Sequence, residues 1–330
     1  MTPARGQRSA PAPDEVGLPE QPQDEPASAN QAEHARARID RQVRALLSHQ
    51  DGVRDGKDPE ELHQFRVAIR RLRSVLRAVP TLTGDAPSSG SEHAAVNRYT
   101  ATDLRDELRW LGDVTSPVRD LDVLLARLHD ETAGFDDAEQ AAVERLTSAL
   151  VRERGTHRIA LGRALSSNRY RALLTGLAAL ATGNDEGEAS APVTGTMLVD
   201  SLRKPYRALS RAIGELGDDP ADEQVHALRI KGKRLRYAAE TTLPAAKKSD
   251  AKQLAKLIKS TQRLQDILGG HQDAVVAARR VRELAAEQPE SLTAFVAGRL
   301  AERELRRRTQ ARADLPSACR KVLKHGERLG

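Results

Sequence analysis

From about residue 31 onward, apolar positions recur at steps of three and four, the period of helices with one buried face. A first helix is predicted from near Gln31 to about Ser48, with Ile39, Val43, Leu46 and Leu47 on its apolar side. Asp58-Pro59-Glu60-Glu61 is a strong helix start: Asp58 suits the N-cap, Pro59 the first helical position, and Glu61 completes a capping box. That helix extends to about Val79, where Pro80 ends it. The tract 83–90, rich in Gly, Ser and Pro, predicts a flexible loop. Helices are then expected from about Glu92 to Gly112, with Leu104, Leu108 and Leu111 inward, from Pro117 onward, and near 137–165 and 168–182. The polar run from Gly183 to Pro192 reads as a linker.

The pattern is then repeated. Residues 62–77 place His63, Arg66, Arg70 and Arg73 in one helical stripe, continued by Arg77, beside an apolar row of Leu62, Phe65, Ile69, Leu72 and Leu76. Residues 225–239 place His226, Arg229, Lys233 and Arg236 beside Val225, Leu228, Leu235 and Ala239. His63 and His226 are 163 residues apart, as are Arg44-Ala45-Leu46 and Arg207-Ala208-Leu209. Asp120 and Asp273 differ by 153, and Leu165 and Leu315 by 150, so the offset drifts only where loops shorten. Such a period is too long for a solenoid and predicts a duplicated helical bundle. The expected organisation is a disordered acidic, Pro-rich tail at 1–30, a first bundle at 31–184, a linker at 185–195 and a second bundle at 196–330.

Composition agrees with an all-α fold, since aromatic residues make up only 2% and the core must be built from Leu, Ala and Val. The net charge is +6; the first 30 residues hold two Arg against five acidic residues, which leaves +9 on the rest. A basic fold of this kind points to a polyanionic partner without choosing among nucleic acid, anionic membrane and polyphosphate. Cys319 is the single cysteine, so no intramolecular disulfide is expected, and a reducing compartment fits. No apolar run approaches the roughly 20 residues of a membrane span. The N-terminal residues lack the apolar region of a signal peptide, so a cytoplasmic location is expected.

The stripes carry the candidate chemistry. Like-charged i,i+4 pairs cost a few tenths of a kcal/mol each on a helix, and cations in the first turns oppose the helix dipole. Bound anions would remove both penalties, because the guanidinium fork matches phosphate oxygens. The bland alternative is a solvated face paired with acidic neighbours. Duplication of the whole pattern favours function. Metal binding is not expected, since neither His has a second ligand four residues on and cations surround both. Nucleic-acid binding is the main alternative, although only eight aromatic residues are available for base stacking. A phosphotransfer histidine at His226 is a weaker third reading, because that chemistry needs neither the arginine row nor a second His.

The His-x-x-Arg-x-x-x-[Arg/Lys]-x-x-Arg helices in two halves, with Arg119-Asp120-x-Asp122-Val123 after Leu111-Gly112, resemble the CHAD (conserved histidine α-helical domain) family. Lys233-Arg234-Leu235-Arg236-Tyr237-Ala238-Ala239-Glu240 and Leu268-Gly269-Gly270-His271-Gln272-Asp273 are similar to its second-half elements, and the match covers about residues 31–329. The resemblance implies two bundles related by a pseudo-twofold, with a basic central cleft that binds inorganic polyphosphate. It also implies association with polyphosphate granules rather than catalysis, and no cofactor. By position, the ligand-facing set is His63, Arg66, Arg70, Arg73 and Arg77 with His226, Arg229, Lys233 and Arg236; Arg44, Lys204 and Arg207 are weaker members. Arg119, Asp120 and Asp273 are expected to orient the basic side chains. Gln272 stands where the first copy has Arg119, so the halves need not contribute equally. Glu302-Arg303-Glu304-Leu305-Arg306 is the nearest string to the Glu-x-Glu-x-Lys of triphosphate-hydrolysing barrels, but it ends in Arg and lies in a helical stretch, so that enzymatic reading is rejected.

Overall fold

The predicted helices form, although the first runs past its expected end near Ser48 to Asp55 and the expected start near Glu92 lies outside the described residues. A computed structural model describes residues 10–22, 31–78, 100–183, 195–243, 246, 248–288 and 290–327. Its helices are α1 (Gln31–Asp55), α2 (Pro59–Ala78), α3 (Ala101–Asp130), α4 (Asp137–Leu165), α5 (Asn168–Thr182), α6 (Gly195–Gly214), α7 (Asp222–Thr242), α8 (Lys248–Ala286) and α9 (Ser291–Gly326). Among the described residues no strand occurs, and no helix is long and apolar enough to cross a membrane. The expected loop at 83–90 and most of the linker lie outside the described residues.

The chain divides into two compact units, Met1–Val123 with Leu150–Pro192, and Leu124–Ala149 with Val193–Gly330. In the first unit, every predicted apolar position of α1 and α2 is buried, and Leu104, Leu108 and Leu111 of α3 join the same core with Tyr170, Leu173, Leu174 and Leu177 of α5. Asp58 caps α2 as expected, its Oδ1 accepting from the Glu60 amide at 2.8 Å. The α1–α2 turn passes through Gly56 at φ +64°, where a side chain would be strained. Arg158 donates to the carbonyls of Arg54, Asp55 and Gly56 there, satisfying the end of α1.

One expected boundary is corrected at Pro117. A helix break was predicted there, yet α3 runs through it without interruption. Val118, Leu121, Leu124 and Leu128 continue the buried stripe beyond the proline, and that burial outweighs a backbone penalty of about 3 kcal/mol. The Thr115 and Ser116 hydroxyls donate to the Gly112 carbonyl one turn earlier, at 2.9 and 2.8 Å.

A second correction concerns the expected disordered tail. Within it, residues 10–22 are ordered: a 3-10 helix, η1 (Asp14–Val16), is followed by Gly17 at φ +93°. Val16 and Leu18 are buried in the first core, and the Ala10 amide donates to Asp51. The remaining tail residues lie outside the described set. Two apolar side chains among prolines and acids gave too little periodicity to read as structure.

In the second unit α6, α7, α8 and α9 bury Leu202, Leu209, Val225, Leu228, Leu235, Leu264, Leu268, Leu315 and Val322 together. The turn between α3 and α4 belongs to this unit and is tied to α9 by ion pairs. Glu304, fully buried, accepts from Arg127 at 2.5–2.8 Å, Arg299 pairs with Glu139, and Arg307 with Glu131. Phe135 lies under the Arg299 and Arg303 guanidiniums. Glu302 and Glu304 thus sit within α9, the first exposed and paired with Arg306, the second buried. They do not form the paired carboxylates of a strand face.

Candidate functional site

Both basic stripes lie beside a buried row, as the periodicity requires: Leu62, Phe65, Ile69, Leu72 and Leu76 on α2, and Val225, Leu228, Leu235 and Ala239 on α7, are all buried. In the first unit the stripe faces α3. The Arg66 guanidinium donates to Ser116 Oγ at 2.7 Å, and Ser116 in turn donates to the Gly112 carbonyl at 2.8 Å. Arg119 donates to the Pro59 carbonyl at the start of α2. Burial lowers the Arg66 pKa, Asp120 opposes this, and Arg70 and Arg119 add to it. The group nonetheless stays charged at neutral pH.

His63 is half-buried in the same cluster. Burial and the neighbouring Arg119, Arg70 and Arg66 hold its pKa below the ordinary histidine value, with Glu60 opposing. His63 is therefore neutral at pH 7. Arg70 and Arg77 are exposed and Arg73 half-buried; none of the three has an ion pair or hydrogen bond among the described residues. The Arg73 guanidinium passes 4.0 Å from the point where a Gly112 side chain would begin.

In the second unit the stripe faces α8. His226 is exposed, and its Nδ1 lies 3.0 Å from Gln272 Oε1, which makes Nδ1 the donor. Arg236 lies 3.3 Å from Glu240 and over the Tyr237 ring, while its Nε finds no hydrogen-bond acceptor. The Arg229 Nε is buried and likewise without an acceptor. Lys233 is half-buried and Asp273 exposed, and neither is without an interaction partner. On α6, Lys204 and Arg207 are exposed. Arg44 on α1 is differently placed from these: its guanidinium is held by Asp40 and by the carbonyls of Pro19, Glu20 and Gln21.

The two units build corresponding ladders, with two of the three rungs of the second seen in contact. In the first, His63 stands by Arg119, Arg66 by Ser116, and Ile69 by Gly112. The offsets of 163 and 153 map these onto His226 by Gln272, Arg229 by Gly269, and Gly232 by Gln265. The first and last of the mapped pairs are in contact, since a Cβ on Gly232 would lie 3.9 Å from Gln265 Cγ. The large and small partners have changed helices between copies, so the inter-helix space is filled either way.

Periodicity did not reveal a cluster at the start of α7. Asp222 pairs with Arg308 at 2.9 Å, Arg312 at 2.7 Å and the buried His271 at 3.3 Å, and Arg312 also pairs with Asp219. Burial alone would raise the Asp222 pKa, but the two arginines hold it below the usual carboxylate value. His271 is lowered by burial, with Asp222 opposing and Arg312 and Arg308 adding. The partners in these pairs lie 41 to 93 positions apart, so no local pattern links one to the other. Among the described residues no group of three or more His, Cys, Asp or Glu could hold a metal ion.

Comparison with known proteins bears on the fold and the family. An uncharacterized protein of Mycobacterium tuberculosis strain H37Rv is 32% identical over 302 residues, covering 86% of this chain and 52% of that protein; its counterpart in strain CDC 1551 gives the same values. The chain thus spans about half the length of the curated relatives it matches. A crystal structure of the CHAD domain from the plant Ricinus communis superposes with a TM-score of 0.65 at 26% identity, covering 96% of this chain and 97% of that one. PptA from Streptomyces chartreusis shares the fold, with a TM-score of 0.60 at 20% identity over 87% of this chain and 97% of its own. The CHAD domain model matches residues 37–282, which include both His helices and all but the last turn of the helices they face, and the chain belongs to the CHAD domain family.

Proposed function

We propose that this chain binds inorganic polyphosphate, without catalysis, through the basic stripes of α2 and α7. One observation carries the reading: the sequence twice builds a His/Arg/Arg-or-Lys/Arg row against a buried face, and exposed members of the first row have no counter-ion among the described residues. Stripe residues lie about 5 Å apart along a helix axis, a spacing suited to a ligand of regularly repeated charge. Physical chemistry reaches as far as a polyanion; the narrowing to polyphosphate rests on family membership. Cytoplasmic residence at polyphosphate granules is part of the same proposal.

Nucleic acid is the competing ligand, because phosphate contacts alone would serve it. The distribution of aromatic groups favours polyphosphate. Phe65, Tyr170 and Tyr206 are buried, Trp110 lies under the Arg169 guanidinium, and among the described residues Phe295 is the one exposed aromatic ring. Stacking platforms for bases are therefore scarce.

The test is a titration of polyphosphate against the protein at about 150 mM salt, an ionic strength at which surface charge is substantially screened, with duplex and single-stranded DNA as competitors. The wild type is expected to prefer polyphosphate. Arg70→Glu with Arg236→Glu should abolish binding while leaving the helical circular dichroism unchanged. Unchanged affinity in that double variant, or displacement of polyphosphate by equivalent DNA, would overturn the proposal.

A further inference from the structure

At one rung the second ladder has no side chain on the facing helix. In the first unit the Ser116 hydroxyl has its proton committed to the Gly112 carbonyl, at 2.8 Å, so its lone pairs face Arg66. One guanidinium N–H is thereby fixed, and the fork keeps four further donors. Pro117 follows directly and has no N–H to place in the helix, so it donates nothing to the carbonyl one turn back.

The second unit lacks this device. The residue equivalent to Ser116 is Gly269, which carries no hydroxyl, and the residue equivalent to Pro117 is Gly270. The alignment is anchored on both sides, because His226 meets Gln272 and Gly232 meets Gln265 on the same pair of helices. Position 269 lies between those two contacts along α8, as 229 does along α7. The Arg229 Nε is buried and has no hydrogen-bond acceptor. That one donor can meet an anion only if the Arg229 side chain moves, and part of the binding free energy then goes into the rearrangement.

We propose that Ser116 is a positioning residue that preorganises Arg66, making the α2 stripe the stronger of two unequal anion sites and leaving the α7 stripe limited by the missing hydroxyl at 269. The inference rests on the polyanion-binding reading above and concerns how that binding is shared between the stripes. It also makes the weaker site repairable. A Cβ added at Gly269 meets nothing within 4 Å, and its backbone has no positive φ, so serine fits there.

Polyphosphate affinity of the full chain should be measured for wild type, Ser116→Ala, Ser116→Thr and Gly269→Ser, each also in the Arg70→Glu and Arg236→Glu backgrounds. Loss of a preorganising hydrogen bond predicts about 3- to 10-fold weaker binding for Ser116→Ala, with recovery in Ser116→Thr. Gly269→Ser should tighten binding by a comparable factor. The backgrounds separate positioning from folding. The Ser116→Ala effect should persist with Arg236→Glu and vanish with Arg70→Glu, and the Gly269→Ser gain should do the reverse. A merely structural Ser116 would weaken both backgrounds alike, which overturns the proposal. So would wild-type affinity in both Ser116→Ala and Gly269→Ser. If wild-type protein does not bind polyphosphate at all, the functional reading itself fails, a result distinct from either.

Discussion

At the scale of single residues, His63 is the group whose charge a ligand would change. Burial and three guanidiniums keep its imidazole below the ordinary histidine pKa, and so neutral at pH 7 in the free protein. A bound polyanion offsets those cations and raises the pKa, so binding takes up a proton. Affinity therefore increases as pH falls through the interval between the bound and free values. Titrations at pH 8, 7, 6 and 5.5 should show this, and His63→Asn should flatten the profile relative to wild type. The difference between the two proteins cancels titration of the ligand itself. Parallel profiles would place the pH response elsewhere. The free protein carries the opposite sign in stability: the unfolded His63 binds its proton first, so stability falls as pH drops below about 6.5 and levels off beneath the folded pKa. The position of His63 in the stripe was legible from sequence spacing alone. Its depressed pKa was not, because Arg119 comes from a helix 56 residues away in the chain.

At the scale of elements, exchange of large and small partners between copies shows how a duplicated bundle drifts without losing its packing. Ile69 packs over Gly112 in one unit, and Gly232 packs under Gln265 in the other. Gly232 is a central position of α7, where glycine costs about 1 kcal/mol relative to alanine. An added methyl would rest 3.9 Å from Gln265 Cγ, an ordinary contact. Gly232→Ala is therefore expected to stabilise the protein by about 0.5–1 kcal/mol, read as a higher urea midpoint at unchanged slope. Gly232→Ile, the first-copy residue, should destabilise it unless Gln265→Gly is introduced with it. Sequence reasoning located α2 from its capping box and α4 and α5 by period. The break expected at Pro117 follows from proline's local chemistry, whereas the buried stripe on both sides of it decides the helix. The Arg127–Glu304 pair was equally hidden, since 177 residues separate two charges that look solvated until α9 is seen to bury one.

At the scale of the whole chain, the segment before α1 shows where composition misleads. Residues 10–22 contain prolines and acids, the profile of a solvated tail, yet two apolar side chains suffice to dock them. Val16 and Leu18 are 2% and 3% exposed in the first core. Full burial of such side chains is worth about 1.5–3 kcal/mol each, before the entropy of ordering the strap is subtracted. The strap also supplies the Pro19, Glu20 and Gln21 carbonyls that hold Arg44, a residue first counted among the ligand-facing set. Deleting residues 1–22 thus removes core from the first unit and strips Arg44 of its carbonyl partners, leaving it paired with Asp40 alone. Trp110, the single tryptophan, packs against that same core and reports on it directly. The truncated protein is expected to show a lower urea midpoint by tryptophan fluorescence, by a net of about 1–3 kcal/mol. Val16→Asp in the intact chain should lower it by a similar amount. If Arg44 reaches polyanion once those carbonyls are gone, the truncated protein binds polyphosphate more tightly than Val16→Ala in the intact chain, and Arg44→Ala reverses the gain. If Arg44 serves only to pin the strap, truncation changes stability and leaves affinity where it was.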